Sequence, residues 1–192
     1  MTQLKFFIQD VKRMLGKHKI RILHIWLSRA FIGVLVYRIE RSLYLLFPNI
    51  YGLLRVPLIP IFNLLQVYSN MDIHYKADIK GGLLILHPSV GVVISGQAII
   101  GKNLTLTGGN VIGAKRKTKK GEFVIGDNCY FGANATLIAP VVLANNISIG
   151  ASACVVKDCL KDNAILGGVP AKLIKIKGDN KKNSINLKSS IK

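Results

Sequence analysis

Acidic residues are scarce in this chain of 192 residues: nine Asp and Glu stand against 27 Lys and Arg, a formal net charge of +18. Aromatic residues are few, at 7%. No nucleic-acid-binding motif accompanies the basic residues, which argues against nucleic acid as their partner. The excess is +8 over residues 1–70, +5 over 71–174 and +5 over 175–192. Basic ends beside apolar sequence point to an anionic membrane surface or an anionic ligand. The plainer use of such lysines is to keep an apolar protein in solution. There are three cysteines, Cys129, Cys154 and Cys159. Their spacing suits no metal site, so they read as small packing residues in a reducing, cytoplasmic compartment. No uncharged apolar run reaches the roughly 20 residues that span a bilayer. The longest, Ser42–Leu54 and Val56–Met71, carry Pro48, Pro57 and Pro60, which break helices. No secretory signal is expected, because charge interrupts residues 1–19 throughout.

What is present changes character near residue 70. Residues 1–70 read as helical, amphipathic and basic: Leu4, Phe7, Ile8, Val11 and Leu15 share one face, and Ile22, Trp26, Val34, Tyr37 and Leu43 alternate with Arg21, Arg29, Arg38 and Arg41. Such a segment either lies on an anionic membrane as a peripheral anchor or packs as a cap on the rest of the protein or on a neighbouring subunit. From residue 71 to 174 an aliphatic or aromatic residue recurs at every sixth position: Ile73, Ile79, Ile85; Ile94, Ile100, Leu106, Ile112; Ile125, Phe131, Leu137, Leu143, Ile149, Val155. Gly often follows, and small residues such as Ala133, Ala135, Ala151 and Ala153 come after. Six residues make one short strand and a tight turn, and three such units close a triangular coil. One coil cannot bury its own apolar face, so several must stack. The phase breaks twice. Three residues are extra around His87-Pro88-Ser89, and residues 115–121 (Lys-Arg-Lys-Thr-Lys-Lys-Gly) form an inserted loop. Insertions in a solenoid leave as corner loops, which commonly carry binding function. Residues 175–192, rich in Lys, Asn and Ser, read as a basic, flexible tail.

Four segments carry a family likeness: Asp72-Ile73-His74; Leu86 to Ile94 (LHPSVGVVI); Ile125-Gly126-Asp127-Asn128; and Gly167 to Ile174 (GGVPAKLI). Over residues 71–174 the chain resembles the hexapeptide acyltransferases, most closely the serine acetyltransferase branch. Its short hydrophobic N-terminus looks more like that of capsule and exopolysaccharide O-acetyltransferases. The resemblance implies a mainly β protein, a left-handed parallel β-helix with an N-terminal α-helical segment, assembled as a homotrimer. It implies acetyl-CoA as co-substrate, His87 as general base and Asp72, fifteen positions earlier, as its partner. Two further family features are changed. An Asp is expected immediately before the His, where this chain has Leu86. An Arg-His pair is expected in the long loop, which here ends Lys120-Gly121-Glu122-Phe123.

The chemistry follows from these residues. An alcohol attacks a thioester only if its proton leaves as the bond forms, and an imidazole suits that work near neutral pH. A carboxylate such as Asp72 would fix the ring and stabilise the imidazolium. No cysteine sits in an activated setting, so direct transfer is expected. The coenzyme is expected along Gly113, Ala133 and Ala151, with Pro170, Lys172 and Lys175 at its adenine and phosphate end. The acceptor is expected near Asn110, Lys115, Arg116 and Lys117. With the serine clamp altered, the expected acceptor is a sugar hydroxyl, anionic or neutral, on a bacterial capsule, exopolysaccharide or lipopolysaccharide or its precursor. The alternatives are a serine O-acetyltransferase and a non-enzymatic β-helix scaffold at the membrane. No metal is expected: β-helix carbonic anhydrases use three His, and the repeats hold only His74 and His87.

Overall fold

The computed structural model describes residues 2–17, 19–119 and 121–178. Helix α1 (Thr2–Leu15) is followed by two 3-10 turns, Lys19–Leu23 and Ile25–Leu27, then α2 (Arg29–Leu46), α3 (Tyr51–Arg55), a 3-10 turn at Val56–Leu58, and α4 (Ile59–Ser69). Ser28 caps α2, its hydroxyl accepting from the Phe31 N–H at 3.1 Å. Asn70, left-handed at φ 56, ends α4 and turns the chain into the first strand. Pro57 and Pro60 do not break the helical run as the sequence suggests. Each sits in the first turn of its element, where no intrahelical N–H is needed. Tyr51–Ser69 is therefore a helical stretch of 19 residues with mean hydropathy 1.2, long and apolar enough by length and composition to cross a membrane.

The rest is a solenoid. Its first coil is β1 (Met71–Ile73), β2 (Asp78–Ile79) and β3 (Leu84–Ile85). The second is β4 (Val92–Ile94), β5 (Ile99–Ile100) and β6 (Thr105–Leu106), and the third β7 (Asn110–Ala114), β8 (Phe123–Ile125) and β9 (Tyr130–Phe131). The fourth is β10 (Thr136–Ala139), β11 (Val141–Leu143) and β12 (Ser148–Ile149). The fifth has β13 (Cys154–Val155) and β14 (Ala164–Gly167), after which β15 (Lys172–Ile176) folds back antiparallel on β14. Three parallel faces result: β1-β4-β7-β10-β13 (face one), β2-β5-β8-β11 (face two), and β3-β6-β9-β12-β14 (face three).

The hexapeptide phase is visible in the register. Met71 pairs with Val92, a step of 21; Val92 with Asn110, a step of 18; Val111 with Thr136, a step of 25; and Thr136 with Cys154, a step of 18. Eighteen is three hexapeptides, so the excesses are three and seven residues, those read from the sequence. The sixth-position residues from Ile73 to Val155 are each at most 3% exposed and form one continuous core. Corners are turned by left-handed Asn at 103, 128, 134, 146 and 163, whose short polar side chains tolerate positive φ. The expected tail boundary at 175 moves: Lys175 and Ile176 belong to β15, paired with Ile165 and Ala164. The remaining tail, residues 179–192, lies outside the described residues.

The helices close the open end of the solenoid. Coil one has no coil above it, so its outward backbone groups need partners. Side chains from α1 and α2 supply them. Asp10 accepts from the Gly82 and Leu83 N–H groups, each at 2.7 Å. Arg38 donates to the carbonyls of Ile79 and Lys80 at 2.7 and 2.9 Å, and Tyr37 to that of Ala77 at 2.9 Å. Arg41 donates to the Lys76 carbonyl at 3.0 Å, and Arg13 to that of Gly82. Asp10 and Arg38 also pair with each other at 2.9 Å, both buried.

Candidate active site

Asp72 and His87 are brought to one edge of face one. Asp72 points outward from β1, opposite Val93 of β4. His87 follows β3 and opens the 3-10 turn Pro88–Val90 that feeds β4. Asn70 ties the two segments: its carboxamide donates to the Ser89 carbonyl at 3.0 Å, and its own carbonyl accepts from the Val92 N–H at 3.2 Å. Asn70 was not singled out from sequence; its place before Asp72, at a left-handed helix end, is the only signal. Asp72, Asn70, Gly91 and Val93 line a concavity of about 260 Å³ that also touches Gln66 and Val67 of α4. Both Asp72 and His87 are exposed, and no hydrogen bond joins their side chains among the described residues.

Below His87 the packing is tight. Its N–H donates to the Thr107 carbonyl at 2.8 Å. Gly108, at φ 139, lies so close that an added Cβ would stand 2.4 Å from the His87 carbonyl oxygen. Gly108→Ala is therefore strained twice over and is expected to move the His87 turn. A loss of thermal stability together with altered signals from the His87 turn in nuclear magnetic resonance would show it; an unchanged spectrum would refute it.

Asn110 does not reach this surface. It is fully buried: its carboxamide oxygen accepts from the Gly108 N–H at 2.9 Å, and its nitrogen donates to the Gly132 and Ala135 carbonyls at 2.8 and 3.2 Å. These bonds use both amide protons, so the expectation that Asn110 contacts the acceptor is corrected. It fixes Gly108, and through Gly108 the floor under His87.

The inserted loop leaves face one at its other edge. Strand β7, about 15 Å long, separates the Gly108 corner from Lys115. The Gln97 carboxamide oxygen accepts from the Thr118 N–H at 2.6 Å and holds the loop against coil two. Arg116 is engaged with Glu122 at 3.2 Å. The Lys119 N–H, with Arg116, keeps the Glu122 carboxyl below the usual carboxylate range. Lys115 and Lys117 are exposed. In one chain, then, the loop and His87 stand on opposite sides of face one.

Ala133 and Ala151 stack at the corner between faces three and one, the Ser152 N–H donating to the Ala133 carbonyl at 2.8 Å. Gly113 lies across the face, opposite Ile138. Pro170 is exposed, and Lys172 and Lys175 are exposed along β15. Burial pushes the Cys129 thiol up to about 11, which leaves it protonated and unreactive. Among the described residues no group of three or more His, Cys, Asp or Glu is placed to hold a metal ion.

His74 has a different setting from His87. Its ring stacks on Tyr75 at 4.5 Å, and Nδ1 accepts from the Lys76 N–H at 3.1 Å. Desolvation, aided by Lys76 and opposed by Asp72, lowers its pKa below the ordinary value of about 6.5. The folded protein thus binds this proton less readily than the unfolded chain. Stability is full above pH of about 6.5 and falls as pH drops below it toward the lowered folded value. A Tm-versus-pH series should show this slope in the native chain and a flatter one in His74→Gln.

No family model matches the chain, and no curated protein matches it. Solved structures do. A serine acetyltransferase of Neisseria gonorrhoeae superposes with a TM-score of 0.73 at 24% identity, over 91% of this chain and 66% of that one. A soybean serine acetyltransferase superposes at 0.72 and 24%, over 90% and 69%. One from Brucella abortus, in complex with coenzyme A, gives 0.70 and 20%, over 91% and 68%. This chain spans about two thirds of their length. The fold is theirs: the left-handed parallel β-helix of hexapeptide repeats with a helical N-terminal segment. The solved structures bear on two expectations. Residues 71–176 are 106 of 192, just over half the chain, so a match over 91% takes in most of the helical segment as well. The helical segment therefore shares the fold of these serine acetyltransferases along with the repeats. The expected surface-polysaccharide acceptor is corrected: the neighbours are serine acetyltransferases, and they lend it no support.

Proposed function

We propose that this chain is an acetyl-CoA-dependent O-acetyltransferase whose acceptor is the hydroxyl of L-serine. The observation that carries the reading is the three-residue excess of coil one. It turns His87 out at the edge of face one, beside the strand of Asp72 and above a floor fixed by Asn110. Neighbours crystallised with serine and with coenzyme A support the two substrates. His87 accepts the hydroxyl proton as the serine oxygen bonds to the thioester carbon. The carbon–sulfur bond then breaks, and the proton passes to the departing thiolate. Asp72 orients the ring and stabilises its cation; such contacts commonly tighten only in the bound complex. The backbone beside half-buried Ala133 and exposed Ala151 is the proposed track for the pantetheine arm, with a second chain as its other wall and Lys172 and Lys175 toward the phosphates. The loop reaches a His87 site only from a second chain, so a homotrimer is part of the proposal. Lys115 and Lys117 are then the cations for the serine carboxylate.

The test is thiol release from acetyl-CoA by the purified chain, with and without L-serine. Release that depends on serine is expected; none would overturn the proposal. Leu86 is 45% exposed just before His87 and offers a serine ammonium no charge. Leu86→Asp is therefore expected to lower the KM for serine by about tenfold, roughly the worth of one charge-assisted hydrogen bond, with kcat little changed. An unchanged KM would place the acceptor elsewhere.

A further inference from the structure

The helical segment has a surface that acetyl transfer does not use. Leu23, Trp26, Leu46, Leu53 and Leu64 are each more than half exposed. They lie on the 3-10 turns, the end of α2, α3 and α4. The Tyr68 hydroxyl donates to the Leu27 carbonyl at 3.0 Å, joining α4 to the turn that carries Trp26. Large contiguous apolar patches mark contact sites.

Charge identifies the occupant. Between residues 11 and 71 the sequence has nine Lys or Arg and one acid, Glu40. Glu40 is buried and bonded to Arg55 at 2.8 Å and to the Tyr51 hydroxyl at 3.1 Å. The only other acid in the first 71 residues, Asp10, is buried against Arg38. The segment therefore shows solvent no carboxylate, while Lys5, Lys12, Lys17 and Arg29 are exposed. Two copies meeting on such a face would bring like charges together with no acid to offset them. A surface of apolar chains beneath anionic headgroups complements both features. Trp26, half exposed with its indole N–H donating to the Leu23 carbonyl at 2.9 Å, is the amphipathic kind of side chain enriched at such boundaries.

We propose that the helical segment from Lys5 to Tyr68 docks this protein on an anionic lipid bilayer, lying along its surface. The 19-residue apolar stretch does not insert across it. Tyr51 and Phe62 are buried against the body of the protein, and Ser69 leads directly into β1, so α3 and α4 stay with the solenoid.

The experiment uses the full chain with vesicles of phosphatidylcholine alone and of phosphatidylcholine with phosphatidylglycerol. Binding to the anionic vesicles about tenfold tighter or more is expected. It should weaken with salt and bring a blue shift in the emission of Trp26, the single tryptophan. Leu53→Glu/Leu64→Glu, at two exposed positions, should abolish binding while leaving the fold by circular dichroism, and thiol release, as in the native chain. Failure to bind anionic vesicles at low salt overturns the proposal. So does a lipid-free assembly that this double variant dissociates, which would put a second copy on the face. Neither result touches the acetyl-transfer reading.

Discussion

In the thiol-release assay, His87→Ala is expected to lower kcat by about 10²–10⁴-fold, the usual worth of a positioned general base. Its Tm should stay within about 2 °C of the native value, as for an exposed residue away from buried networks. The separation follows from the structure. The His87 backbone is held by Thr107 and packs on Gly108, and those contacts survive the truncation. The imidazole is exposed and makes no hydrogen bond among the described residues, so the fold does not depend on it. Asp72→Asn should reduce turnover as well, with folding equally intact. Turnover retained in His87→Ala would remove the base from the scheme and leave the edge of face one without a catalytic role.

The largest loss of stability is expected at the other end of the chain's chemistry. Asp10→Ala should destabilise the protein by about 3–5 kcal/mol, the range for breaking a buried ion pair. That is roughly 10 °C in Tm for a chain of this size. The truncation leaves Arg38 charged and buried and takes the acceptor from the Gly82 and Leu83 N–H groups. Arg38→Met should cost a similar amount, because the Ile79 and Lys80 carbonyls lose their donor. The double variant should be less destabilised than the two losses summed, since the pair vanishes together. Recovery stays partial because the backbone groups remain unpaired. A loss below about 1 kcal/mol in Asp10→Ala would mean that the helices are not docked through this pair.

The solenoid was open to reading because a six-residue period is local. Each inward aliphatic announces itself by spacing, and the two phase breaks at His87 and Lys115 give the sites of excess chain directly. The helical end was not readable in the same way. Asp10 meets Arg38 across 28 residues and Gly82 across 72, and an isolated Asp among lysines carries no sign of that. Prolines 57 and 60 were read by composition, whereas their effect depends on falling in a first turn. Asn110 looked like a polar residue free for a ligand. Only the stacking of coils shows that its amide is spent on Gly108, Gly132 and Ala135. The acceptor was misjudged for a related reason. Leu86 and the loop without an Arg-His pair depart from the family pattern at a few positions, and these carry less weight than the architecture around them.

The side chains that meet the outward backbone of coil one also decide what a solenoid must avoid. Its strands end in a row of amide and carbonyl groups, a template on which another β-helix could continue the stack without limit. Asp10, Arg13, Tyr37, Arg38 and Arg41 occupy those groups one by one. A chain begun at Met71 would keep the hexapeptide core and present that template bare. Such a chain would offer that template for pairing with another copy, while β15 still covers face three at the far end, so α1 and α2 are what close this end of the β-helix.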